Sequence, residues 1–184
     1  MQDEALSIII KLRNLMDSYL LLDPEYKTSL VPYLPQSPAP QIFHDMSAVC
    51  KRSEIGPMSA VAGAVAKYTA LELKKKFPYK EIMVENGGDI YIDIKEDIDI
   101  AVFAGQSPLS NRVGLHIPAS VSPVGVCTSS GTVGPSLSFG GIVQASLTLL
   151  SAWRRLAKGD LVSPNGLQPP LKVGCQARED AGSF

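Results

Sequence analysis

The chain has 184 residues, 45% hydrophobic and 19% charged, which suits one globular domain with an apolar core. Its 17 basic and 18 acidic residues give a net charge of −1, so there is no electrostatic reason to expect nucleic acid or an anionic membrane as a partner. Three dispersed cysteines and two histidines offer too few ligands for a zinc site and do not suit a disulfide scaffold. The amino terminus is acidic where a secretory signal would be basic, so we expect a cytoplasmic protein.

The first part of the sequence predicts helices. Periodic apolar residues and end signals place them over residues 4–22, 24–30, 43–52 and 57–76. Asp23-Pro24 supplies a capping side chain and a first-turn proline for the second helix. Four prolines between residues 32 and 40 predict an extended connection.

From residue 81 the periodicity changes from helix to strand. Strands are predicted over residues 81–85, 90–94, 97–103, 112–117 and 124–127. Mostly consecutive strands behind a helical segment indicate an α+β fold with a mostly antiparallel sheet. We expect residues 1–150 to form this domain and residues 151–184, which lack apolar periodicity, to be a divergent, loosely ordered tail.

The first candidate site is the turn Asn86-Gly87-Gly88-Asp89. Adjacent glycines permit positive φ and let a ligand approach the backbone, while the flanking amide and carboxylate can bind ring heteroatoms, hydroxyls or a metal. The structural alternative is a favoured hairpin turn between two strands.

The second candidate is the hydroxyl-rich loop Thr128-Ser129-Ser130-Gly131, whose backbone N–H groups could form a concave anion site. Its alternative is a polar surface loop. The third candidate consists of Gly56 and Met58 at a helix start, a position that favours anions in nearly every helix. His44, His116 and Cys127 are expected to be structural, with a nucleophilic Cys127 as the less favoured hypothesis.

Four blocks in this order resemble an uncharacterised bacterial and archaeal family related to ApbE, the FAD:protein FMN transferase. The blocks are residues 55–66, 84–90, 104–110 and 125–134. The resemblance covers about residues 5–140 and implies an ApbE-like, T-fold-like architecture. In ApbE itself the enzyme binds FAD and, with Mg²⁺, transfers FMN to a threonine of a partner protein.

The resemblance implies that Asn86, Gly87, Gly88 and Asp89 lie near a flavin. It further implies that Thr128, Ser129, Ser130 and Gly131 contact the flavin or its phosphates, with weaker roles for the backbone at Gly56 and Met58. The implied cofactors are FAD or FMN, with Mg²⁺ as the metal.

Three departures from the ApbE pattern bear on activity. The chain opens directly at the first helix, Pro135 stands where relatives tend to have histidine, and the region after Leu150 lacks the Ala-Asp…Thr metal block. An arginine pair, Arg154-Arg155, occupies that region and would repel Mg²⁺. One hypothesis is that the chain is truncated or divergent at both ends, with the tail translated from a shifted frame.

Three functions stay open at this point. The chain is a flavin transferase of ApbE type, a non-catalytic module that binds a flavin or another nucleotide-like phosphate ligand, or an inactive fragment that serves assembly. The last reading predicts a homo-oligomer, because missing edge strands would leave a sheet edge to pair with another chain.

Overall fold

The computed structural model describes residues 2–103, 105, 108–129 and 146–150, the last five and residues 128–129 by their backbone. The helices are α1 (Gln2–Leu22), α2 (Pro24–Thr28), α3 (Gln41–Ser53) and α4 (Val61–Lys76), with short 3-10 turns at Pro57–Ala60 and Ala119–Val121. The strands are β1 (Ile82–Asn86), β2 (Asp89–Asp93), β3 (Ile98–Ala101), β4 (Gly114–Ile117), β5 (Val124–Ser129) and β6 (Ser146–Leu150). Helices followed by antiparallel sheets confirm the α+β prediction.

The helix ends follow local signals in the sequence. Asp23 caps α2, because its side chain accepts a hydrogen bond from the backbone N–H of Tyr26 at 3.3 Å. Pro24 occupies the first turn, where its missing N–H has no helical partner to lose. At the end of α3, Glu54 adopts the left-handed conformation with φ 57° and closes the helix.

The helices pack around one apolar cluster, which we call the helical core. Its buried members are Met16, Tyr19, Tyr26, Ile42, Phe43, Met46, Val49 and Ala64. Aromatic edges meet ring faces here: the Tyr26 and Phe43 centroids lie 5.0 Å apart at 83°. The Tyr26 hydroxyl donates to the Phe43 carbonyl at 2.8 Å, so this buried polar group is satisfied.

The larger sheet has four antiparallel strands in the order β1-β2-β5-β6. Alternate residues of β2 point to opposite faces. Asp89 and Asp93 face α4, since Asp89 lies beside Gly63 and Asp93 pairs with Lys74. The opposite face carries Ile90 and Ile92 and packs on the two-stranded β3–β4 sheet. That second apolar cluster has the buried members Ile92, Ile94, Leu115, Ile117, Val124 and Val126.

Most elements differ from their predicted bounds by a few residues, and two differ further. The expected helix over residues 57–76 begins with a 3-10 turn, so the α-helical part starts only at Val61. Strand β6 was not predicted at all. The expected tail, residues 151–184, lies outside the described residues, as do Ser130 and Gly131. Within the described part of the chain, none of the helices combines the length and apolar character needed to cross a bilayer.

Candidate functional site

The Asn86–Asp89 segment is the hairpin turn between β1 and β2. Asn86 and Asp89 are cross-strand partners, and the glycines between them have φ values of 62° and 97°. Two consecutive left-handed residues are what a tight hairpin turn needs, which explains the glycine pair without a ligand. The Asn86 side-chain amide donates to the Ala62 carbonyl at 3.1 Å and ties the turn to α4.

The end of β5 lies directly beside this turn. Asp89 is the cross-strand partner of Cys127, so the two residues that follow, Thr128 and Ser129, continue past the turn end of β2. The prediction that a loop begins at Thr128 is therefore wrong, because Thr128 and Ser129 belong to β5 and pair with β6. The structure thus brings the backbone of two predicted site segments to one end of the sheet.

The third predicted segment is explained by packing. A Cβ on Gly56 would lie 1.9 Å from the backbone oxygen of Ser29, so glycine is required for this close approach. Met58 packs against the helical core. Neither residue lines the cavity beside Asp89 described next.

A small cavity lies between α4 and the sheet, next to Asp89. It measures about 20 Å³ and is lined by Gly63, Lys67, Asp89, Ile90, Tyr91, Gly125, Val126 and Cys127. Two lining residues without side chains, Gly63 on α4 and Gly125 on β5, help to leave this space. A volume of this size accommodates about one water-sized group.

Asp89 is a half-buried carboxyl group in this cavity. Burial raises its pKa above the ordinary value, and the nearby Glu85 raises it further. Hydrogen bonds from the Cys127 thiol and from the Gly63 backbone oppose this shift without cancelling it. Cys127 is thus a half-buried hydrogen-bonding partner of Asp89, and its expected structural role stays a prediction.

Lys67 stands one turn beyond Gly63 on α4 and lines the same cavity. Its ammonium group lies 3.0 Å from Asp45 Oδ2, and both side chains are about three-quarters buried, with exposures of 22% and 23%. Asp45 also accepts from the Tyr68 hydroxyl at 3.1 Å and from the Gln41 amide at 2.9 Å. Sequence reasoning missed Lys67, because one lysine within an amphipathic helix carries no distinguishing pattern.

The described residues do not fit the magnesium site that the ApbE resemblance implies. Mg²⁺ takes oxygen ligands in octahedral geometry, usually carboxylates with phosphate oxygens and water. In the described part of the chain, no group of three or more His, Cys, Asp or Glu side chains could hold a metal ion. Among the described residues that line the cavity, Asp89 is the one with a carboxyl group.

Several UPF0280 proteins have sequences similar to this chain. A UPF0280 protein of Methanocella arvoryzae is 38% identical over 136 residues, which cover 74% of this chain and 55% of that protein. The UPF0280 protein of Methanothrix thermoacetophila is 41% identical over 137 residues, covering 74% and 57%. The UPF0280 protein of Methanothermobacter thermautotrophicus is 42% identical over 126 residues, covering 68% and 48%. The chain therefore spans about half the length of these relatives.

A family model described as AbpE bacteria matches residues 1–152. This match extends beyond about residue 140, where the resemblance described above ends, and includes strand β6. Because the model covers most of the 184 residues, the chain belongs to this ApbE-like family.

Proposed function

We propose that this protein binds a flavin nucleotide, or a related nucleotide-like phosphate ligand, at the end of the four-stranded sheet where the Asn86–Asp89 turn meets β5. The cross-strand pairing of Asp89 with Cys127 is the observation that carries the proposal. It brings a glycine turn and a hydroxyl-rich segment, far apart in sequence, to one place.

Each segment offers a different kind of contact. Gly87 and Gly88 carry no side chain, so a ligand ring or phosphate can approach their backbone closely. The sequence from Thr128 to Gly131 supplies hydroxyl and backbone donors suited to an anion. The anchoring of Asn86 to α4 holds the turn in place before any ligand arrives, which lowers the cost of ordering it on binding.

The proposal is binding, with transfer of FMN from FAD as the finer possibility that the family resemblance suggests. Such a transfer requires charge neutralisation of the pyrophosphate, normally by a metal ion. The described carboxylates do not supply a metal site, so the non-catalytic reading is the one the geometry supports better.

Titration of the purified chain with FAD, FMN and ADP, with and without Mg²⁺, tests the proposal by flavin fluorescence and thermal shift. We expect saturable binding that Asp89→Ala and Thr128→Ala each weaken by about tenfold or more, since each removes a hydrogen-bonding group. Asp17→Ala, a change at an exposed carboxylate of α1, is the matched control. Failure of all three ligands to bind the parent protein would overturn the proposal.

The homo-oligomer expectation is a prediction of its own. β1 is an edge strand of the four-stranded sheet as described, and Met83 on it is 51% exposed. An exposed edge is able to pair with another strand. Multi-angle light scattering of the parent protein and of Met83→Lys tests this: a dimer that the lysine dissociates supports it, and a monomeric parent contradicts it.

A further inference from the structure

The outer face of α1 carries large aliphatic side chains that the described residues leave exposed. Four of them have exposed fractions between 41% and 82%: Leu6, Ile9, Ile10 and Leu21. The helix packs on the rest of the protein through its opposite side, where Ile8, Met16 and Tyr19 are buried. An aliphatic surface of this kind along a whole helix is typical of an interaction site.

A pair of opposite charges lies in the middle of this face. Leu6, Ile10, Arg13, Asp17 and Leu21 follow one another at intervals of four, three, four and four residues, so they form one row along the helix, which we call the α1 stripe. The Arg13 and Asp17 side chains are 81% and 64% exposed, and Arg13 Nε lies 3.6 Å from Asp17 Oδ2. Such an exposed pair adds little to the stability of its own helix, but it restricts which surface can cover the stripe.

The order of the charges favours a second copy of α1 in the antiparallel orientation. If two copies are related by a two-fold axis beside residue 15, Arg13 of each copy lies opposite Asp17 of the other. The same register places Leu6 and Ile10 opposite the carboxyl end of the other helix, where Leu21 is exposed. In the parallel orientation each charge would meet its own like charge, which is repulsive. The α1 stripe is therefore complementary to itself in one orientation.

We propose that two copies of this chain associate through the α1 stripe as an antiparallel helix pair. The guanidinium has five N–H donors, so Arg13 can keep its contact with its own Asp17 and also donate to Asp17 of the other copy. The four charges then alternate in sign and fix the register, as polar residues do in a coiled-coil seam. The aliphatic side chains on either side supply the burial of apolar surface.

The proposed contact is small, because each copy contributes one helix of 21 residues. We therefore expect a weak dimer with a dissociation constant on the order of 10 µM. Below that protein concentration the chain is monomeric, so Asp17→Ala stays a neutral control for unfolding and for ligand binding. The contact does not depend on the proposed ligand binding, and it uses a different surface from the β1 edge.

Charge reversal tests the proposal in sedimentation velocity experiments over a series of protein concentrations. Arg13→Glu makes both charges of the stripe negative and Asp17→Lys makes both positive, so each variant alone should self-associate about tenfold or more weakly than the parent. An equimolar mixture of the two variants should associate like the parent, because each charge then meets its opposite on the other chain. The double variant should do the same. Lys11→Glu, a charge reversal on α1 outside the stripe, is the matched control, and circular dichroism checks that every variant folds.

The mixture separates a contact between copies from an effect within one copy. If the parent associates but the mixture of variants does not, the antiparallel α1 pair is overturned. A dimer that Met83→Lys dissociates and Arg13→Glu leaves intact is held by the β1 edge, and this result also overturns the proposal. A parent that stays monomeric up to about 1 mM, far above the expected dissociation constant, would show that a second copy does not cover the α1 stripe.

Discussion

The Tyr19 hydroxyl donates a hydrogen bond to Asp23 Oδ2 at 3.0 Å, linking the last turn of α1 to the cap of α2. Asp23 is only 1% exposed, yet no cation pairs with it among the described contacts. Its carboxylate is satisfied by hydroxyl and backbone donors instead, from Tyr19, Tyr26, Tyr33 and Gln36. Such a buried acceptor organises the connection between the first three helices.

Asp23→Ala should therefore destabilise the protein strongly. The substitution leaves several donors without an acceptor, each at a cost of about 1–3 kcal/mol when buried, so we expect a loss of about 3 kcal/mol or more. Urea unfolding followed by circular dichroism measures it. Asp17→Ala, at an exposed carboxylate, should change the free energy of unfolding by less than about 0.5 kcal/mol. Equal effects of the two variants would contradict the role of Asp23.

Substitution by alanine should change the stability of the protein in opposite directions at Gly56 and at Gly63. Gly56→Ala forces a methyl group onto the Ser29 carbonyl, and we expect a loss of about 3 kcal/mol. Gly63→Ala makes only ordinary contact with Asp89 and removes a helix-weakening glycine, so a gain of up to about 1 kcal/mol is expected. Thermal and urea unfolding of both variants tests this. A stable Gly56→Ala protein would show that the Ser29 loop moves freely away.

Asp89→Asn should change how stability depends on pH. The folded pKa of Asp89 is raised, so its contribution to stability is fully present below the unfolded value of about 3.9 and is lost as pH rises through the folded pKa. Asparagine does not ionise, so the stability of the variant does not fall in this way as pH rises. Relative to the parent, it should gain stability between about pH 4 and pH 7. Unfolding curves across this range decide the matter, and parallel profiles would show that Asp89 titrates normally.

His116 should link the β3–β4 pair to pH. It bonds Asp99 through Nδ1 at 2.9 Å and faces Asp97 through Nε2 at 3.5 Å, and Asp99 above all raises its pKa. The resulting stabilisation is fully present below the unfolded pKa of about 6.5 and is lost as pH rises through the folded value. His116→Gln should remove this dependence. Amide exchange of β3 and β4 between pH 5 and pH 8 measures it, and exchange protection that is independent of pH in the parent would contradict it.

Local signals predicted much of the fold because they act within a few residues. The Asp23-Pro24 cap, the left-handed glycine pair and the alternation of β2 each depend only on near neighbours. The 3-10 turn before α4 and the close approach of Gly56 to Ser29 depend on packing between distant segments, which no local pattern encodes. Strand β6 is a short apolar segment that pairs with β5. This pairing joins residues that are not neighbours in the sequence, so no local pattern predicts it.

Sequence reasoning likewise predicted only those parts of the candidate site that local motifs encode. The glycine turn is visible in the sequence as a local motif, and so is the hydroxyl-rich segment that begins at Thr128. Lys67 belongs to the site only because the packing of α4 on the sheet makes it line the same cavity as Asp89. Gly56 and Met58 were singled out as a helix start, whereas their contacts are explained by packing.

Side chains of β2 alternate between the two faces of the sheet, so this strand contributes both to the candidate site and to the apolar cluster on the β3–β4 side. Asp89 faces the cavity while its neighbour Ile90 packs against the apolar β3–β4 side. A slip of one residue in the pairing with β5 would exchange these faces and bury a carboxylate among aliphatic side chains. Insertions or deletions within β2 should therefore be selected against as folding errors first. Ligand preference should therefore change only through substitutions at the positions that face the cavity.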